Sequence, residues 1–466
     1  MKGEAMMRIG YKNAWILTMD DAFTEYRSGY IVMEEHSIVE VGAMNQFEES
    51  KAEEWMDAKG GILLPGFVNA HTHCGMIPFR SLGDDCPDRL RRFLFPLEQE
   101  VVDESLIAKS TAYAIAEMQL AGVTAMCDMY YFEDAVATVA KEMKMRSLVG
   151  ETIIDMKTPD SKNTDEALAY TQAFVDKWKG DELVHPLIAP HAPNTNTEDV
   201  MRAILEFAKE NQVPITLHVS EMTYEMDYFR KTYNQTPIEF LESRGFFEVP
   251  VILAHGILMT ESDVEILSKY PKVSVVHCIG ANTKSAKGVA PIRSLLDHGV
   301  IVGLGTDGPS SGNTLDLFTQ MRMVANFHKT HLKDRSAFPA KEIVALATKG
   351  GAKALGLDKE VGTLEAGKKA DIVLVETSSV NMFPVHDAYA ALVYSANASN
   401  VQDVWINGER VVNHKNLVNV SLEVLQRELR EEMATFEKRA VELSKQLSSE
   451  KNRVSTKIIL CNTIKT

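Results

Sequence analysis

Short, apolar, β-branched runs recur through the middle of the chain, and each is followed by a stretch whose apolar residues return every three or four positions. The first pattern is that of a strand buried on both faces and the second that of an amphipathic helix. Their alternation predicts parallel strands joined by crossover helices. Eight candidate strands stand out, at 66–73, 123–129, 146–152, 185–191, 213–220, 249–255, 273–277 and 300–307. Helical stretches fall between them at 104–121, 133–145, 198–211, 237–247, 261–270 and 291–298. Eight such units close a sheet on itself, which predicts an α/β chain built around a TIM-like (β/α)8 barrel. The competing arrangement is an open, doubly wound sheet.

Outside the barrel the periodicity changes. Residues 8–41 and 370–412 read as short strands broken by turns such as Asp20-Asp21 and Ser28-Gly29. Neither piece is large enough to bury a core alone, so the two are expected to pair into one small composite β-sandwich. The expected organisation is 1–65 as the N-terminal part of that sandwich, 66–369 as the barrel, 370–420 as its C-terminal part, and 421–466 as an amphipathic helix with a polar tail. In the last piece Leu422, Leu425, Leu429, Met433, Phe436, Ala440, Leu443 and Leu447 recur at helical spacing among Glu, Lys and Arg. This predicts one helix over 421–447, lying on its own barrel or forming a contact in a homo-oligomer. The pattern assigns no function to 451–466.

Composition narrows the classes of partner. With 49 Lys and Arg against 65 Asp and Glu, the formal net charge is −16, which argues against nucleic acid or an anionic membrane. No apolar run approaches the roughly 18 residues of a membrane span, and Glu4 interrupts what would be a leader. A cytoplasmic protein acting on a small molecule is the expectation. The five cysteines, Cys74, Cys86, Cys127, Cys278 and Cys461, form no C-x-x-C pair and are expected as free thiols.

The candidate chemistry lies where the strands end. Active sites of such barrels occupy the C-terminal face, and there the apolar runs close on His71-Thr72-His73, His191, His218, His255, His277 and Asp307. His71 and His73, two apart on one strand, project to the same side and can share one ion. An H-x-H alone is a weak signal. Joined by His218 and Asp307 from two further strands it becomes a strong one, because three imidazoles and a carboxylate suit a borderline cation such as zinc or iron.

Several segments together resemble the amidohydrolase superfamily: Pro65-Gly-Phe-Val-Asn-Ala-His-Thr-His73, His218-Val-Ser-Glu221, Ala254-His-Gly256, Gly305-Thr-Asp-Gly308 and Val361-Gly-Thr-Leu-Glu-Ala-Gly-Lys-Lys-Ala-Asp371. The similarity covers roughly residues 8–415. His191-Ala-Pro193, Asn282-Thr-Lys284 and Gly288-Val-Ala-Pro291 resemble the branch of the methylthioadenosine/S-adenosylhomocysteine deaminases and triazine hydrolases. The resemblance implies one divalent metal ion, zinc ahead of iron, on His71, His73, His218 and Asp307. It also implies hydrolytic removal of ammonia from an amino-substituted heterocycle, nucleobase or nucleoside. Asp307 would then take the proton of the attacking water, Glu221 would protonate the ring nitrogen, and His255 would orient the nucleophile.

The resemblance also implies substrate contacts. Pro96-Leu-Glu98 matches an element whose carboxylate binds ribose hydroxyls, and His191 would meet the ring. Glu151 stands where relatives that accept S-adenosylhomocysteine place an Arg. A carboxylate there is expected to repel that tail, favouring methylthioadenosine or adenosine. His277 is expected as a buried histidine bonded to backbone, and Cys127 and Cys278 as packing residues. Two other readings remain: a hydrolase displacing chloride or alkylamine from a triazine-like ring, and a non-catalytic scaffold on the same fold.

Overall fold

The structure is a computed structural model that describes residues 7–86 and 89–446. Five strands open the chain: β1 (Arg8–Leu17), β2 (Glu25–Glu34), β3 (Ser37–Ala43), β4 (Glu54–Asp57) and β5 (Ile62–Pro65). Strands β1, β2 and β3 form an antiparallel meander, with Glu35 (φ 50°) in the tight turn between the last two. Strand β1 then forks: Ile9–Lys12 pairs with β4, and Trp15–Ile16 with β5. Asn13 at the branch point has φ 58°, which breaks the extended run.

Nine strands follow in the barrel: β6 (Phe67–Thr72), β7 (Val123–Tyr130), β8 (Arg146–Ile153), β9 (Val184–Pro186), β10 (Ala189–Pro190), β11 (Ile215–Val219), β12 (Val251–His255), β13 (Val273–His277) and β14 (Ile301–Leu304). All their ladders are parallel. The strand expected at 185–191 is split into β9 and β10, because Pro186 and Pro190 lack the N–H a ladder needs. The ladders form two arcs, one from β6 to β10 and one from β11 to β14. They meet at the bridge Ile188–Ile215. The opposite seam is closed by one backbone bond, Asp307 N–H to the His71 carbonyl at 3.1 Å, and by side chains: Asn69 Nδ2 donates to Thr306 Oγ1 at 2.8 Å, and Thr306 N–H donates back to Asn69 Oδ1 at 3.0 Å.

The chain returns to the first sheet with β15 (Ile372–Val375), β16 (Val401–Ile406), β17 (Glu409–Asn413) and β18 (Asn416–Leu417). Strand β15 pairs antiparallel with β5, Leu374 opposite Leu63, so both ends of the chain share one nine-stranded sheet as expected. Arg146, fully buried at the foot of β8, ties this sheet to the barrel. Its Nε and Nη2 donate to the two Asp371 oxygens at 3.0 and 3.1 Å, and Asp371 Oδ1 also accepts the Asn407 N–H at 2.8 Å.

The single helix expected over 421–447 is interrupted. The helix Leu422–Glu432 ends at Met433 and a second helical stretch occupies 434–446, while Leu447 and the tail lie outside the described residues. Both stretches rest on their own barrel. Lys109 pairs with Glu428 at 2.6 Å, Arg439 pairs with Glu100, and the Phe436 ring meets Phe79 edge-on at 4.7 Å. Among the described residues no helix is long and apolar enough to cross a membrane.

Candidate metal centre

Parallel register brings the strand ends to one face, and with them the predicted residues. The His71 and His73 rings, on the same side of the β6 run, stand 4.8 Å apart, with the His218 ring from β11 at 5.0 and 5.3 Å. His218 Nε2 faces His73 Nε2 at 3.3 Å. Asp307 Oδ1 lies 3.2 Å from His73 Nε2 and 3.9 Å from His71 Nε2. Tetrahedral donors about 2.1 Å from a zinc ion lie about 3.4 Å from one another, so these separations fit one such ion.

The hydrogen-bonding state of each ring agrees. His73 Nδ1 donates to the Met129 carbonyl and His218 Nδ1 to the His191 carbonyl, the latter at 2.7 Å, which leaves each Nε2 turned inward. Both ring nitrogens of His71 are buried without a partner. Burial and the adjacent imidazoles push His71 and His218 well below the usual histidine range, keeping both lone pairs available. Burial opposes charge on His73 as well, yet its hydrogen bond with Asp307 raises it to about 9. Asp307 is held well below the carboxylate range, burial being outweighed by His73.

Two further groups flank the centre. His255 is close enough to His71 and Asp307 to complete a second ligand-like group, but its Nδ1 is held by Asn282 Oδ1 at 2.9 Å and its Nε2 lies 3.9 Å from Glu221. Glu221 follows Ser220, whose φ is 50°. The buried Glu225 fixes this turn, accepting the N–H groups of Ser220 and Glu221 at 2.8 and 2.9 Å. Glu221 also pairs with Lys287. Burial works against the Glu221 charge, but His255 and Lys287 bring it down to about 2.

His191 packs on His218, ring centroids 4.9 Å apart, and burial lowers it to about 4. Glu98 accepts the Tyr130 hydroxyl at 2.8 Å, and burial raises it to about 7. Every predicted site residue is therefore on this face. Sequence reasoning missed Glu225, Asn282, Lys287 and Tyr130 as partners. Glu225 carried one legible signal, since it stands four residues after Glu221, where a side chain reaches back over a helix start.

Two expectations are corrected. Glu151 is not the open carboxylate expected: it is fully buried and accepts the Glu133 N–H at 3.1 Å, and burial with the nearby Asp160 pushes it well above the carboxylate range, a direction that disfavours the charge. His277 is buried as expected, but its Nε2 is bonded to His328 Nε2 at 2.9 Å instead of to backbone. Cys127 and Cys278 are buried, Cys74, Cys127 and Cys278 are free thiols, and Cys461 lies outside the described residues.

Comparison with known proteins agrees with this geometry. Residues 62–411 match the family model described as the amidohydrolase family. A protein of Pelotomaculum thermopropionicum named 5-methylthioadenosine/S-adenosylhomocysteine deaminase is 36% identical over 443 residues, covering 94% of this chain and 99% of that one. The crystal structure of an adenosine deaminase from Xanthomonas campestris with bound zinc superposes with a TM-score of 0.89 at 30% identity, over 92% of this chain and 98% of that one. An atrazine chlorohydrolase from Arthrobacter aurescens, complexed with zinc, shares the fold at a TM-score of 0.85 and 22% identity, over 91% of this chain and all of that one.

Proposed function

Since the chain belongs to the amidohydrolase family, we propose that it is a metal-dependent aminohydrolase that releases ammonia from an amino-substituted heterocycle, nucleobase or nucleoside, methylthioadenosine and adenosine foremost. The observation that carries this reading is the convergence of three imidazole Nε2 atoms and Asp307 beside Glu221 and His255. His71, His73, His218 and Asp307 would hold the ion, zinc by analogy with the relatives. When bound, such an ion acidifies water and polarises the carbon under attack.

The remaining steps belong to the chain. Asp307 is placed to take a proton from the attacking water and to pass it to the departing amine. Glu221 is placed to deliver a proton to the ring nitrogen that gathers charge as the carbon becomes tetrahedral, and to regain one from the hydroxyl left on that carbon as it becomes a carbonyl and the amine departs. His255, fixed by Asn282, orients the water through its inward Nε2. His191 would meet the ring and Glu98, raised to about 7 and shared with Tyr130, would meet ribose hydroxyls.

Ammonia release by metal-loaded protein, measured across adenosine, methylthioadenosine, S-adenosylhomocysteine, guanine, cytosine, pterins and amino-triazines, tests the reading. Release from at least one ring, abolished by chelation and restored by the metal, is expected. Halide release from a chlorotriazine without ammonia release from any ring would overturn it.

A further inference from the structure

Lys287 is presented to the site by a dedicated loop. Beyond the short helix Ile279–Lys284, Ala286 (φ 55°) and Gly288 (φ 123°) both take left-handed backbone. Between them the Lys287 N–H donates to the Asn282 carbonyl at 3.0 Å. Asn282 is also the residue whose side chain holds His255. One residue thus anchors both groups that face the Glu221 carboxylate.

The ion pair is largely removed from water, with side-chain exposures of 26% for Lys287 and 20% for Glu221. The carboxylates whose charge bears on Lys287 are Glu221 and Asp307. Asp307 faces the imidazoles of the metal centre, so Glu221 supplies the counter-charge. This balance fails during the proposed reaction. At the moment Glu221 carries the proton destined for the ring it is neutral, and Lys287 is left charged, mostly buried and unbalanced, which is strongly unfavourable. A substrate that brings its own anionic oxygen removes the conflict. Glu151, fully buried and bonded to the Glu133 N–H, is not exposed to oppose such a substrate.

We propose that Lys287 is a specificity-determining residue that takes an anionic oxygen of the substrate, a carboxylate or a phosphate, when it parts from Glu221, so that acidic amino-heterocycles are preferred over their neutral counterparts. The proposal rests on the deaminase reading. It extends that reading, since the expectation from sequence favoured uncharged nucleosides.

The test compares matched pairs, S-adenosylhomocysteine with methylthioadenosine and adenosine 5′-monophosphate with adenosine, on metal-loaded wild type, Lys287→Met and Lys287→Arg. For at least one pair the wild type should favour the acidic member in kcat/KM. That preference should fall roughly tenfold or more in Lys287→Met and be retained in Lys287→Arg. A ratio unchanged in Lys287→Met, or a wild type that favours the neutral member of both pairs, overturns the proposal. If metal-loaded wild type releases no ammonia from any of the four, the deaminase reading has failed for these rings. Dissociation constants from calorimetry then decide Lys287 by the same ratios, and failure of both acidic compounds to bind overturns it as well.

Discussion

Three residues at the strand ends take left-handed backbone although none is glycine: Ser220 (φ 50°), His255 (φ 72°) and Asp307 (φ 59°). Each costs roughly 1–3 kcal/mol and persists only where its surroundings hold it. Those surroundings are identifiable. Glu225 clamps Ser220, Asn282 holds His255, and Asp307 donates its N–H to the His71 carbonyl at 3.1 Å while its own carbonyl accepts Thr306 Oγ1 at 2.8 Å. Glu98 stores a different cost, which pH reveals. Its folded value of about 7 exceeds the ordinary 4.5, so between those values the folded protein keeps a proton that the unfolded chain has released. Stability therefore falls as pH rises through that window, by about 3 kcal/mol in all from this group. Glu98→Gln should lose less stability than wild type between about pH 5 and about pH 8, read from urea midpoints; parallel losses would contradict it. The metal ligands were legible because each closes an apolar run. Glu225 was legible only through its spacing from Glu221 at a helix start, and Asn282 and Lys287 were not, since a short helix and a loop have no period that says where their side chains turn.

At the scale of elements, period predicted more than length. The helix expected at 198–211 is found over Glu198–Asn211, started by Thr197 capping Val200 N–H. The eighth strand, expected to reach Asp307, stops at Leu304, because Asp307 leaves extended backbone to face the imidazoles. The terminal helix was legible as an amphipathic pattern, but the turn at Met433 was not, since the apolar spacing runs through it. Its second half matters to the site. Phe436, 2% exposed, rests on Phe79, the last residue of the turn Cys74–Phe79 that begins directly after His73. Phe436→Ala should lower stability by about 3 kcal/mol, the low end for a buried ring, and make 434–446 susceptible to protease. A loss below about 1 kcal/mol would say instead that this stretch is not held by its own barrel.

For the whole molecule, the fold class and the meeting of the two chain ends followed from sequence, because neither half-sheet could bury its apolar faces alone. The fork in β1 did not, since no period marks where a strand changes partner, and the Arg146–Asp371 tie did not, since it joins residues 225 positions apart. That same long reach has a consequence for how the protein is made. Strand β5 is translated hundreds of residues before β15, its partner, so throughout synthesis of the barrel the nascent N-terminal strands expose an unpaired apolar edge. Nascent chains arrested on the ribosome before residue 372 should be cut by protease within 8–65, whereas chains with 372–413 clear of the exit tunnel should resist. Equal resistance in both would mean that the first strands find another partner while they wait. Otherwise the arrival of β15, and not the closing of the barrel, ends the exposure of that edge.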